Sequence, residues 1–443
     1  MRLDRNLARR AQIETKPKAQ RHDGWPERHK RDARSMFSIA TRTTCGRVWT
    51  RKGRDQDVPH AKPHWPTQED RSEESQRGMG TTAHEALRMR RRDYHVRVSK
   101  YDITMSRRKL TRASANLSND YFTNRQDRYH VFSDKMITDY FYNLHTAVAS
   151  LSFRVVPAPA LAAQYTLIWP STNSAPSPLI SPSAFSKAST KYLAPIIKQR
   201  TEPLNQNPGA DTSVYPLSQL TQLLKPDTST ELPAITSILR RLASPGFETS
   251  RWTFTAGYFN PDPLLKQLLI NSLSFGTVIT ASQQANGFFG ASGPAGLLPG
   301  AYTLYSRRFL EAAAKVGRNP AITLREWRFG TVGEPGAWTY HAKGFWVTLP
   351  TTKEKARATE VGPSICVIGS SNYTKRSYSM DLEANCLIVT NNNGLKERLG
   401  EEEKWLQEHT EVVAKEQLGQ GERKIGIKTR VAMWIVKMVG GAL

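Results

Sequence analysis

Six short apolar runs recur between Thr253 and Thr390: TFTAGYF, TVITAS, ITLREWRFG, GFWVTLP, SICVIGS and ANCLIVT. Each has the length of a strand, and most are bounded by Gly, Asn, Ser or Pro. Between them lie stretches with helical spacing, notably LLKQLLINSL and RRFLEAAAKV. Strands that alternate with amphipathic helices bury both kinds of apolar face when the helices cover a sheet, so an α/β fold with a mixed or parallel sheet is expected.

Upstream the texture differs. Residues 1–112 hold 29 basic and 14 acidic residues, +15 of the +24 total, and show little apolar periodicity. Such a segment cannot bury a core, and residues 1–97 are expected to be disordered. A nucleic-acid arm and an organelle presequence are its two functional readings; presequences are poor in acids, which Asp4 and Glu14 oppose. From Ala115 the chain reads as folded, with Tyr140, Phe141 and His145 at helical spacing before a β-branched run. Residues 169–250 begin with many Pro and Ser and are expected to form a loop and linker.

Three cysteines, Cys45, Cys366 and Cys386, are too few and too scattered for a disulfide framework or a zinc cluster, which points to a reducing compartment. No window approaches the apolar length of a spanning helix. Residues 401–443 are expected to be a helical tail. Its end, TRVAMWIVKMVGGAL, suits either a helix at a membrane interface or one docked on the core.

Chemistry concentrates in YHAKGFWV and VIGSSNYTKRSYSMDLEAN. In extended chain His341 and Lys343 project to one side and Ala342 to the other. Gly369, Ser370, Ser371 and Asn372 then follow a strand, where small donors suit a phosphate. Glu383 supplies a carboxylate of the kind that fixes an imidazole's orientation. Singly, each piece is ordinary: a lone histidine in a strand is more often merely satisfied, and Gly-Ser-Ser-Asn is usually a turn. In this order they match phosphoryl-ester chemistry, which needs an imidazole nucleophile, a cation, donors for phosphate oxygens and a second imidazole as acid.

The order H-x-K, then G-S-x-N, then an acid eleven residues after that Asn resembles the phospholipase D superfamily, whose site is built from two such halves. Over about residues 115–400 the strings look like eukaryotic phosphatidylglycerophosphate synthases. ANLSNDYFTNRQDRY is similar to the end of that family's first half. The resemblance implies a phospholipase D-like duplicated α/β domain, each half a mixed sheet covered by helices. The first half is a truncated remnant at 115–168, and the second half spans 251–400. It further implies transfer of a phosphatidyl group from CDP-diacylglycerol to glycerol 3-phosphate at the mitochondrial inner membrane surface. No cofactor, metal or nucleic acid is expected.

By the same resemblance His341 and Lys343 are the second-half catalytic pair, Ser370 and Asn372 contact phosphate, and Glu383 supports a histidine. Asn116 matches Asn372 as a phosphate contact, and Asp127 matches Glu383 as a histidine support, with the same spacing of eleven. Thr348 stands where the wider superfamily often has Asp. The alternatives are a phosphodiesterase with the same site and a catalytically dead binding relative.

The first-half H-x-K is missing: sixteen residues before Asn116 stands Lys100, followed by Tyr101 and Asp102. Moving the codons of Glu74 to Val98 forward by one nucleotide permits an H-x-K followed by acids, and Met79 followed by Gly80 then forces a Trp. Val98 and Ser99 can encode a splice donor, and Ser114 the closing AG. Sixteen codons plus two nucleotides make fifty bases, whose removal restores the frame and joins Ala115 directly. Residues 1–97 are therefore expected to be out of frame, and 98–114 to derive from an intron.

Overall fold

The computed structural model describes residues 13–15, 104–106, 109–113, 119–198, 211–350 and 362–438. Its centre is an eight-stranded mixed sheet. The spatial order is Thr410–Val412, Ile322–Trp327, Phe275–Ala281, Arg251–Ala256, Lys343–Thr348, Ile365–Gly369, Glu383–Thr390 and Thr212–Gln219. Arg251–Ala256, Phe275–Ala281 and Ile322–Trp327 run parallel, and the helices Pro263–Asn271 and Leu298–Lys315 make the crossovers that parallel neighbours require. The other neighbours are antiparallel.

Apolar residues on both faces explain why the central strands read as continuous runs. Trp346, Ile368 and Ile388 join one core, while Phe345, Val347, Val367 and Leu387 join another. The first core also takes Phe141, Leu144 and Val148 from the helix Lys135–Ala149, which Asp134 caps by accepting from the amides of Met136 and Ile137.

The stretch 169–250, expected to be loop and linker, instead carries the helix Pro182–Ile197, the strand Thr212–Gln219 and the helix Glu231–Leu242. The misleading residues sit where structure tolerates them. Ser181 caps the first helix, Pro182 begins it, and Pro216 lies on the edge strand of the sheet. The tail is likewise mixed: the strand Thr410–Val412 joins the sheet edge, and the helix Ile427–Met438 follows.

A four-stranded antiparallel sheet orders Ile13–Thr15, Tyr129–Phe132, Lys109–Ala113 and Thr104–Ser106. Apart from those short strands, the segments 1–97 and 98–114 of the sequence reading lie outside the described residues. The chain divides into two units, and every element named above belongs to the one comprising residues 1–17, 93–291 and 296–443. Among the described residues no helix is long and apolar enough to cross a membrane.

Candidate active site

A two-residue parallel ladder brings the two motif regions together. Thr339–Tyr340 pairs with Arg125–Gln126, and the His341 amide donates 2.9 Å to the Gln126 carbonyl. The next residues on the two segments, His341 and Asp127, are thereby neighbours. His341 Nδ1 lies 2.9 Å from Asp127 Oδ2, and the pair is buried. With Asp127 ionised the carboxylate only accepts, so in that state Nδ1 carries the bonding hydrogen and Nε2 is left as an acceptor. Burial pushes the Asp127 carboxyl up to about 7, against the pull of Lys343.

Lys343 Nζ stands 2.8 and 2.9 Å from the two ring nitrogens and donates 2.9 Å to the His341 carbonyl. The ammonium is thus within hydrogen-bond reach of both ring nitrogens. The Tyr121 hydroxyl lies 3.3 Å from Nε2, and burial raises its pKa, so it stays a donor at neutral pH. Tyr258 meets the imidazole edge-on at 5.9 Å and stacks on Tyr302 at 5.3 Å. Polar and aromatic groups thus hold the ring from several sides.

The phosphate-type loop begins where Ile365–Gly369 ends. Continuing the register Phe345↔Val367 sets Gly369 opposite Lys343, so the loop and the lysine share one end of the sheet. Ser370 Oγ donates to Glu383 Oε2, and Gly369 must be glycine because a Cβ there would stand 1.7 Å from the Asn385 side chain. Asn372 Oδ1 is buried and has no hydrogen-bond partner among the described residues. Behind the loop, Glu231 accepts from Tyr378 at 3.0 Å and from Asn385, and burial pushes its carboxyl up to about 8.

Asp127 is locked to the sheet through its neighbour. The guanidinium of Arg128 donates 3.0 Å to the Lys343 carbonyl and 2.8 Å to the Val367 carbonyl. It also meets Glu402 at 2.9 Å and lies 3.8 Å above the Trp346 ring. Burial opposes the charge on Glu402, yet Arg128 and His130 together hold its carboxyl far below the usual range. Gly344 gives the guanidinium room, since a Cβ there would stand 1.8 Å from Arg128 Nη1.

No family model matches the chain. A CDP-diacylglycerol--glycerol-3-phosphate 3-phosphatidyltransferase of Saccharomyces pastorianus is 39% identical over 326 residues, covering 72% of this chain and 61% of the relative. The enzyme of that name in Schizosaccharomyces pombe is 35% identical over 338 residues, covering 67% and 63%. The chain is a homologue of these phosphatidyltransferases. It spans about six-tenths of their length. A relative of the same name in Homo sapiens, described as mitochondrial, is 28% identical over 368 residues, covering 77% of this chain and 60% of its own length. Among solved structures, phosphatidylserine synthase of Haemophilus influenzae matches with a TM-score of 0.51 at 16% identity, covering 75% of this chain and 67% of that one. The chain thus shares the mixed α/β fold of that synthase.

Of the sequence-derived residues, His341, Lys343 and Asp127 form one hydrogen-bonded group, and Ser370 and Glu383 form another. Asn372 lies on the same loop as Ser370, and Asn116 lies outside the described residues. The strand begins at Lys343, with His341 just ahead of it. The carboxylate on His341 comes from the other motif segment. Sequence reasoning did not single out Tyr121, Arg128, Glu231, Tyr258 or Glu402. Arg128 alone had a visible cue, in adjoining Asp127 within NRQDRY.

Proposed function

We propose that this homologue is a phosphatidyltransferase that makes phosphatidylglycerophosphate from CDP-diacylglycerol and glycerol 3-phosphate and releases CMP, a step toward phosphatidylglycerol and cardiolipin. The observation that carries this is the buried Asp127–His341–Lys343 group, assembled from two segments that both match the phosphatidyltransferase pattern.

The reaction runs in two displacements. One imidazole attacks the lipid-side phosphorus; a P–N bond forms, the P–O bond to CMP breaks, and the other imidazole protonates the departing oxygen. That second imidazole then takes the proton of the glycerol hydroxyl as it attacks, forming a P–O bond and breaking the P–N bond. His341 is one member of this pair, oriented by Asp127 through Nδ1. Lys343, Ser370 and Asn372 neutralise and hold the phosphate oxygens, Asn116 doing so from the other half. Glu383 supports the second imidazole. The site works at the mitochondrial inner membrane surface, where its lipid substrate resides.

The second imidazole belongs to the H-x-K that the shifted frame upstream of Ala115 restores, and residues 1–114 as written are a frame and splicing error. The missing motif favours one rival, an inactive binding relative. Supplying CDP-diacylglycerol with and without glycerol 3-phosphate to both versions of the protein separates the readings. Glycerol 3-phosphate-dependent product from the respliced version alone is expected. CMP release without an acceptor from either version indicates a phosphodiesterase, and inactivity of both removes the enzyme reading.

A further inference from the structure

The helix Ile427–Met438 is half embedded. Thr429 and Met433 are buried, and Thr429 packs against Gly300 on the helix Leu298–Lys315, 3.4 Å from where a Cβ would stand. The opposite face is open: Ile427, Val431, Trp434, Ile435 and Met438 are 80%, 50%, 63%, 49% and 68% exposed. Projected at about 100° per residue, these five positions fall in an arc roughly 100° wide. Exposed Lys428 and Arg430 flank that arc, one beyond each edge, and the helix contains no acidic residue. An isolated surface hydrophobe needs no explanation, but an uninterrupted stripe bordered by cations does.

Its position also bears on the site. The helix that holds Thr429 through Gly300 carries Tyr302 two residues later; Tyr302 stacks on Tyr258, and Tyr258 meets the His341 ring. An amphipathic helix with this charge border is complementary to the interfacial layer of an anionic membrane: apolar side chains enter the acyl boundary while flanking cations meet lipid phosphates.

We propose that the Ile427–Met438 face docks on a bilayer containing anionic phospholipid and holds the site against the surface that supplies its substrate. What the docking is for rests on the function proposed above; the docking itself does not. The partner surface is a lipid one and not a second copy of the chain, because like-charged borders of Lys428 and Arg430 would face each other in a symmetric pair.

The test is co-sedimentation of the full chain with vesicles of phosphatidylcholine alone or mixed with phosphatidylglycerol. Binding to the mixed vesicles is expected, at least about tenfold weaker for the exposed triple variant Val431→Ser/Trp434→Ser/Ile435→Ser. Lys428→Glu/Arg430→Glu is expected to erase the preference for anionic lipid. Val155→Ser/Leu167→Ser, on an exposed apolar hairpin elsewhere, is expected to bind as the parent does. Parent-like binding by the triple variant overturns the docking, as does a dimer that the triple variant dissolves. Turnover of CDP-diacylglycerol by the respliced version in detergent micelles, measured alongside its own vesicle binding, keeps the two readings apart. Turnover without vesicle binding overturns the docking alone, and vesicle binding without turnover supports the docking while removing the function.

Discussion

Replacing Arg128 by Met tests whether the buried cation joins the two motif regions. The guanidinium has no exposed surface, gives two contacts to Glu402 at 2.9 and 3.0 Å, and bonds carbonyls on two adjacent strands. Removing it leaves Glu402, 11% exposed, with the His130 ring at 3.0 Å as its remaining side-chain partner among the described residues. Breaking such a buried pair costs about 3–5 kcal/mol, a large share of the roughly 5–15 kcal/mol that a protein has to lose. Arg128→Met/Glu402→Leu removes both charges and is expected to cost only about 1–2 kcal/mol, chiefly from the two carbonyls left without a donor. Urea unfolding of the four proteins gives the coupling, expected to exceed about 2 kcal/mol. pH adds a signature. The folded Glu402 carboxyl is depressed below its ordinary 4.5, so its contribution is full above that value and lost as pH falls through the folded one. The parent therefore has an acid-side slope that Glu402→Leu lacks. Additive single costs below about 1 kcal/mol, or an unchanged acid slope, refute the reasoning.

His341→Ala in the respliced protein abolishes transfer, with no loss of folded signal by circular dichroism; substantial residual turnover sinks the assignment. Asp127→Asn keeps the shape but weakens the charge on the imidazole, and kcat is expected to fall about a hundredfold or more with KM little changed. Glu231 behaves oppositely to Glu402: its folded value is raised from 4.5 to about 8, so the native state keeps a proton that the unfolded chain has released. Stability therefore declines as pH rises across that window and levels off above it, and thermal melts of Glu231→Gln are expected to lack that part of the decline. Gly344→Ala drives a methyl into Arg128 and the Val367 carbonyl and is expected to cost about 1–3 kcal/mol in denaturant titrations; a neutral result means that the guanidinium can move aside.

Local pattern carried the sheet. The runs from Thr253 onward became strands at about their expected places, and RRFLEAAAKV became the end of the helix Leu298–Lys315. What was hidden was non-local. Arg128 reads in sequence as one more surface cation, because the residue that permits its burial, Glu402, lies 274 positions away. Glu383 and His341 share a motif region, yet the acid on the ring is Asp127, which only the ladder between Thr339–Tyr340 and Arg125–Gln126 brings near. Thr212–Gln219 escaped notice because Pro216 argues against a strand unless the strand is known to be an edge.

The same ladder bears on the missing motif. Asp127 sits on His341 beside a ladder between the two motif segments, which supports the reading that the matching segment begins upstream of Asp127. On the proposed reading the defect lies upstream, where Lys100, Tyr101 and Asp102 stand in the place of H-x-K. A single frame displacement accounts for this without any loss of coding material. Sequencing the mature transcript across codons 74–120 decides it. A message lacking the fifty bases, and reading through an H-x-K into Ala115, is the expected result, and protein made from it is expected to release CMP in the presence of glycerol 3-phosphate. A message that encodes residues 98–114 as written refutes the displacement. The chain would then hold a single half-site and be either an inactive relative or an enzyme completed by a second copy, and in the second case mixing a His341→Ala copy with an intact one would have to lower activity per intact chain.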